Sequence, residues 1–296
     1  MIEQIASAER VQMEAGDLAT YTDFACELAT LARAEILPYF RAPVAVDNKV
    51  NSDGKSGFDP VTIADRAAER VMRDKIRESY SGHGILGEEH GLHIGETGLT
   101  WVLDPIDGTR AFITGLPLWG VLIALFDGVE PVLGVMDQPY LNERYTGNGE
   151  QAWFVKSPAN HGVRQTDLEE ESSSRTRLNT RTCTQVKDAI MMTTSPDMFQ
   201  SKAEQQAFYR LAESVRMHRY GGDCYAYCML ASGFVDLVVE ADLEPYDIQA
   251  LMPIVQGAGG VITNWQGESA RAGGQVIAAA TPELHREALA MLATAV

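Results

Sequence analysis

A chain of 296 residues with 45% apolar content is long enough to bury a large core, as one domain or as two. Its formal net charge of −17 and lack of a basic stripe argue against nucleic acid as a partner. No apolar run approaches the roughly 18 residues that a membrane span needs. The first twenty residues lack the basic start and apolar centre of a secretory signal, so a cytoplasmic location is expected. Cys26, Cys183, Cys224 and Cys228 show no zinc spacing, and Cys224 and Cys228, at i and i+4, read as small core residues of a helix.

In chain order, Leu18 to Phe40 reads as a long amphipathic helix, and Val44 to Phe58 as a polar loop that carries Lys49. Asp59-Pro-Val-Thr62-Ile-Ala-Asp65 opens a second helix, with Ala64, Ala68, Met72 and Ile76 recurring every four residues. A short apolar strand, Ile85-Leu86, precedes Gly87-Glu88-Glu89-His90-Gly91. Strand-like runs then crowd together at 100–104, 119–126, 131–136, 143–146 and 152–155, with turn residues between several of them, as an antiparallel sheet requires. This half is α+β. Residues 157–177 are polar and aperiodic and read as an exposed linker or hairpin. Beyond them short strands (189–193, 215–218, 235–239, 261–263, 276–279) alternate with helical patterns, which predicts an α/β layer. Within it, Glu240-Ala-Asp-Leu-Glu-Pro-Tyr-Asp247 leads into a helix that ends at Gly257-Ala-Gly-Gly260.

The stretch Trp101-Val-Leu-Asp104-Pro-Ile-Asp107-Gly-Thr109-Arg-Ala-Phe112 carries the most chemistry. Trp101 to Leu103 read as a buried strand, and Pro105 is expected to end regular pairing. The turn beyond it would then aim both carboxylates and the Ile106 carbonyl at one point, as a hard divalent cation demands. Gly108 and Thr109 offer backbone N–H groups to an anionic oxygen. The plain alternative is an Asp-Gly turn with solvated side chains. Glu88 and Glu89 would on the same footing be a solvated loop, and Asp65 and Asp247 helix caps or surface carboxylates.

Taken together, DPVTxAD, GEE, WVLDPIDGT, a late YD before a helix, and GAGG resemble the inositol monophosphatase superfamily of magnesium-dependent phosphomonoesterases, from about Lys49 to Gly260. The resemblance implies a five-layered α/β/α/β/α sandwich, with an N-terminal α+β half over 1–180 and a C-terminal α/β half over 181–296, and usually a homodimer. It implies two to three magnesium ions per site, with manganese as an alternative. Glu88, Asp104 and the Ile106 carbonyl would bind one ion, and Asp104, Asp107 and Asp247 a second. Glu88 and Thr109 would position the attacking water, with Asp65 hydrogen-bonded to Thr109. Phosphate would meet Gly108 and Thr109, and Lys49 is a further candidate contact.

For the rest of the substrate, Tyr220-Gly-Gly-Asp223-Cys-Tyr-Ala-Tyr-Cys228 is the informative string. Glu240 belongs to the polyol-contact region of the family, and Asp223 falls where inositol phosphatases carry a small apolar residue. A carboxylate there is costly beside a neutral polyol but forms charge-assisted hydrogen bonds with an ammonium group. The string, with Arg110 after DGT, resembles the histidinol-phosphatase branch. Histidinol phosphate has a phosphate at one end and an amine and imidazole at the other, with Asp223, Glu240 or Glu244 to receive them. Asp223 as a helix N-cap is the competing reading. A phosphatase for inositol phosphates or another small phosphate ester is the alternative function, and a catalytically silent phosphate-binding protein a third.

Overall fold

The computed structural model describes residues 2–7, 9–13, 15–42, 46–48, 60–156 and 175–293. The chain opens with α1 (Ile2–Ile5) and α2 (Ala15–Ile36), which passes into a 3-10 turn at Leu37–Tyr39. Strands β1 (Val46–Asn48) and β2 (Pro60–Thr62) pair antiparallel. Helix α3 (Ile63–Ser79) begins at a capping box in which the Thr62 hydroxyl accepts from backbone and the Asp65 carboxylate accepts from the Thr62 N–H. Its stripe of Ala64, Ala68, Met72 and Ile76 is buried together with the inner face of α2.

Next come β3 (Gly84–Gly87), β4 (Gly91–His93), β5 (Thr100–Asp107), α4 (Thr109–Ile113), β6 (Gly120–Phe126), β7 (Pro131–Gln138), β8 (Glu143–Gly147), β9 (Ala152–Lys156) and β10 (Thr176–Arg177). They build an eight-stranded sheet in the order β10-β9-β8-β7-β6-β5-β3-β4, in which only the β3/β5 pair is parallel. The predicted antiparallel strands are all present. Thr176 and Arg177 pair with β9, so the polar segment ends as a hairpin partner, while its residues 157–174 lie outside the described residues.

The remainder is β11 (Ile190–Thr193), α5 (Lys202–Ala212), β12 (Met217–Tyr220), α6 (Asp223–Ala231), β13 (Leu237–Leu243), α7 (Pro245–Ile248), α8 (Leu251–Gly257), β14 (Val261–Asn264), β15 (Gly274–Ala279) and α9 (Pro282–Ala293). The second sheet has the order β12-β11-β13-β15-β14. Two of its strands start later than the apolar pattern predicts. Val215 still donates to the Leu211 carbonyl at the exit of α5, and Val235 to the Met229 carbonyl at the exit of α6, so each apolar residue closes a helix instead of opening a strand.

Three cores define the layers. Trp101 and Leu103 face α2 and α3, whereas Val102, between them, faces the other way, as the two-residue period of a strand dictates. That second side shares a core with Tyr227 and Leu230 of α6, Ile254 of α8, and Val238 and Val276 of the smaller sheet. On the far side of the smaller sheet, Leu237 and Ile277 pack with Phe208 of α5 and Leu284 of α9. The fold is thus a mixed α/β sandwich: helices, the large sheet, helices, the small sheet, helices. At Gly134 a methyl group would overlap the Ala250 carbonyl, and that bare spot on β7 lets the α7–α8 connection lie against the sheet. No helix among the described residues is long and apolar enough to cross a membrane.

Candidate active site

Pro105 does not end β5. Asp104 pairs with Leu122 and Asp107 with Gly120, so three steps along β5 match two along β6. The extra residue is a bulge, a place where a strand tolerates a proline that lacks an N–H. Residues three apart in a regular strand face opposite sides of the sheet, and one inserted residue returns them to the same side. Both carboxylates are thereby presented together. Asp104 Oδ1 accepts the Ile106 N–H at 3.0 Å, and the Ile106 side chain is buried in the core under α2 and α3.

Asp247 reaches the same place from α7. Pro245 occupies the first turn, and a capping box with Glu244 fixes the carboxylate, whose Oδ2 accepts the Glu244 N–H at 2.8 Å. Asp107 Oδ2 in turn accepts the Cys224 N–H at 2.7 Å, at the start of α6. One oxygen each from Asp104, Asp107 and Asp247 lie within 4.8 Å of one another. Burial pushes the Asp104 carboxyl well above the ordinary range, and Glu88, Asp107 and Asp247 push it further. Asp247 is raised by burial and then by Asp107. Asp107 is raised by burial against the relief from Cys224. Hard oxygen donors that repel one another in a buried cluster fit a divalent cation and match no neutral ligand as well.

Glu88 stands beside Asp104 and shares a hydrogen bond with it. Its loop is folded by a residue the sequence motifs did not single out, Glu69 on α3. Glu69 Oε2 accepts the Glu89 N–H at 2.6 Å and Oε1 the His90 N–H at 3.1 Å, while Arg73 Nε donates to Oε1 at 2.6 Å and Arg73 Nη2 to the Gly91 carbonyl. Gly87 is required there, since a Cβ would collide with the Glu69 carboxylate. The i, i+4 spacing of Glu69 and Arg73 was the available signal, although on sequence alone such a pair reads as a solvated helix face.

Gly108 adopts a left-handed conformation (φ +86°) and starts the short helix α4. The Thr109 hydroxyl donates to the Ile106 carbonyl at 3.1 Å. Asp65 Oδ2 accepts both the N–H and the hydroxyl of Thr62, at 2.9 and 2.5 Å, so the expected Asp65–Thr109 bond is replaced, for these atoms, by local partners three residues away. Lys49 lies outside the described residues, as does Asp59.

The second half brings Asp223 over this turn. A Cβ on Gly108 would lie 3.2 Å from both Cβ and Cγ of Asp223, so the two residues are in close contact. Asp223 does not cap α6 with its side chain, and Asp107 serves the Cys224 N–H instead. Burial, then Asp107 and Glu240, push the Asp223 carboxyl up to about 8, against the pull of the exposed Arg110 guanidinium. Glu240 is buried, at 2% exposure, and burial raises it to about 7 against its hydrogen bonds from Thr194 and Tyr227. Glu244 is half-buried at the start of α7.

A two-sheet α/β sandwich that converges four carboxylates on a glycine turn fits a cation-assisted phosphatase. The chain belongs to the inositol monophosphatase family, whose model matches residues 17–296. It is 41% identical, over 90% of its length and 72% of the relative's, to the bifunctional phosphatase IMPL2 of Arabidopsis thaliana chloroplasts. It is 32% identical, over 92% of its length and 98% of the relative's, to a histidinol-phosphatase of Mycobacterium tuberculosis. Among solved structures, an inositol monophosphatase from Zymomonas mobilis superposes with a TM-score of 0.78 at 36% identity, over 95% of this chain and 99% of the other.

Proposed function

We propose that the chain is a magnesium-dependent phosphomonoesterase that hydrolyses L-histidinol phosphate to L-histidinol and phosphate, a step of histidine biosynthesis, as a cytoplasmic homodimer. The observation that carries the substrate assignment is the Asp223 carboxylate in contact with the Gly108 turn, beside Arg110 and Asp107. A neutral polyol offers a buried carboxylate there only hydroxyl donors, whereas an ammonium group adds an opposite charge. Relatives named histidinol-phosphatase, 32% identical over at least 90% of this chain, support the same choice.

Asp104, Asp107, Asp247 and Glu88, with the Ile106 carbonyl, would hold the ions, magnesium or in its place manganese. Bound divalent cations neutralise an ester dianion and lower the pKa of water. The protein's own part is to aim the groups. The bulge in β5 turns Asp104 and Asp107 to one side, and the Gly108 and Thr109 N–H groups receive phosphoryl oxygens. Glu88 and the Thr109 hydroxyl position the water, and Asp223 receives the substrate's ammonium with Arg110 at the rim. The test is phosphate release with magnesium from histidinol phosphate and inositol 1-phosphate by the native protein and Asp223→Asn. The variant should lose roughly 1.5 to 3 kcal/mol of binding to histidinol phosphate, the worth of a hydrogen bond to a charged group, and little with an uncharged ester. Equal kinetics on histidinol phosphate would reject the amine-binding role. The second reading, an inositol phosphatase, is favoured by the Zymomonas mobilis likeness and would then stand.

A further inference from the structure

Thr194 follows the last residue of β11 and belongs to none of the motifs, yet three elements meet on it. Its hydroxyl donates to Glu240 Oε1 at 2.6 Å, and its N–H donates to the same oxygen at 3.0 Å. Its Oγ1 accepts the Asp223 N–H at 3.1 Å. A hydroxyl has one proton, so committing it to Glu240 turns the oxygen's lone pairs to Asp223. Glu240 Oε2 is taken by the Tyr227 hydroxyl at 2.9 Å, from α6. With both oxygens engaged by protein donors and 2% exposure, Glu240 anchors Thr194 and α6.

Asp223 needs such an anchor. Its φ is +45°, in the left-handed region that costs a non-glycine residue about 1 kcal/mol or more. The turn before it is pinned as well, because the Gly221 N–H donates to the Thr193 and Thr194 carbonyls at 3.1 and 2.9 Å. Loss of the Thr194 Oγ1 acceptor would weaken the hold on this left-handed backbone and let the Asp223 carboxylate shift from Gly108.

We propose that Thr194 is a specificity-positioning residue: held by Glu240, it fixes the backbone of Asp223 so that the carboxylate stands over the phosphate turn, and it selects cationic phosphomonoesters without touching them. This rests on the reading of Asp223 as the ammonium receiver. The measurement is the ratio of kcat/KM for an aminoalkyl phosphate over that for the matching hydroxyalkyl phosphate, with magnesium, in the native protein, Thr194→Val, Thr194→Ser, Asp223→Asn and the Val/Asn double variant. Thr194→Val should lower the ratio about fivefold to tenfold through KM of the cationic ester, the loss expected for one hydrogen bond. The kcat for the hydroxyalkyl ester should stay within about twofold, which also reports intact folding. Thr194→Ser should restore the ratio, and the double variant should select no less than Asp223→Asn alone, because Thr194 acts through Asp223.

An equal loss on both esters in Thr194→Val, repeated in Thr194→Ala, would make Thr194 a purely structural residue and overturn the proposal. A ratio unchanged by Thr194→Val but lowered by Asp223→Asn would overturn it and leave the functional reading standing. A ratio that neither variant moves would overturn both.

Discussion

Asp104 on β5 and Asp137 on β7 are buried carboxylates separated by a single strand of one sheet, and the chain treats them in opposite ways. Around Asp137 it supplies its own cations. Arg33 of α2 donates through Nε and Nη2 at 3.2 and 2.8 Å, and Arg144 of β8 through Nε at 2.9 Å. Burial would raise the Asp137 carboxyl, but the two guanidinium groups outweigh it and hold it below the ordinary range. Around Asp104 burial raises the carboxyl, and the neighbours Glu88, Asp107 and Asp247 drive it further up. The first group meets its carboxylate with guanidinium groups that the fold itself supplies and fastens α2 to the sheet. The second leaves its charge balance open to an ion, which is what a catalytic centre needs and a structural one does not.

Exchanging the roles is the strongest way to break this contrast. Asp104→Asn should lose nearly all phosphatase activity yet melt, without added ions, no lower than the native protein, since it removes one member of a repelling set. Asp137→Asn should keep magnesium-dependent turnover in its folded fraction but lose about 3 to 5 kcal/mol in denaturant unfolding, because Arg144 would be left buried against a neutral partner. Similar unfolding curves for the two variants would erase the distinction.

The pH dependence of stability separates the two regions further. Asp104, Asp107 and Asp247 have raised pKa values in the folded state, so the ion-free protein holds protons that the unfolded chain gives up from about pH 4. Its stability should therefore fall as pH rises above that point, and Asp223, near 8, extends the fall to slightly alkaline pH. Magnesium should reverse this limb. Asp137 has a depressed folded pKa, so its contribution is present above about pH 4 and is lost as pH falls below it. Asp104→Asn should flatten the alkaline limb of a melting-temperature profile and Asp137→Asn the acid limb. A profile whose alkaline limb ignores both magnesium and Asp104→Asn would contradict the assignment.

A smaller effect tests geometry alone. Arg33→Lys keeps the charge beside Asp137 but gives up the two-pronged contact, and should cost about 1 kcal/mol in urea unfolding with activity unchanged.

Much of this architecture is legible in the sequence, because the central strands of the large sheet, β5, β6 and β7, carry apolar runs of their own, and the Asp104–Thr109 string packs four chemical groups into six residues. What stayed hidden depends on partners far along the chain. Thr194 lies 46 residues from Glu240 and 29 from Asp223, and a lone threonine after a strand carries no pattern of its own. Glu69 hid in a helix face whose partners are loop amides twenty residues on. β12 and β13 start two residues later than their apolar runs suggest, because Val215 and Val235 satisfy β propensity while their N–H groups close helices. The resemblance pairs Asp65 with Thr109, yet its Oδ2 turns to Thr62, which offers two donors at short range.

The bulge at Pro105 and Ile106 bears on how such a chain tolerates change. Replacing either residue alters a side chain where it stands. Deleting one would turn the bulge into regular strand, leaving Asp104 and Asp107 two residues apart and still on one side of the sheet, but it would abolish the turn in which Asp104 accepts the Ile106 N–H. The length of the segment thus governs the aim of the backbone between the two carboxylates, not the side on which they stand.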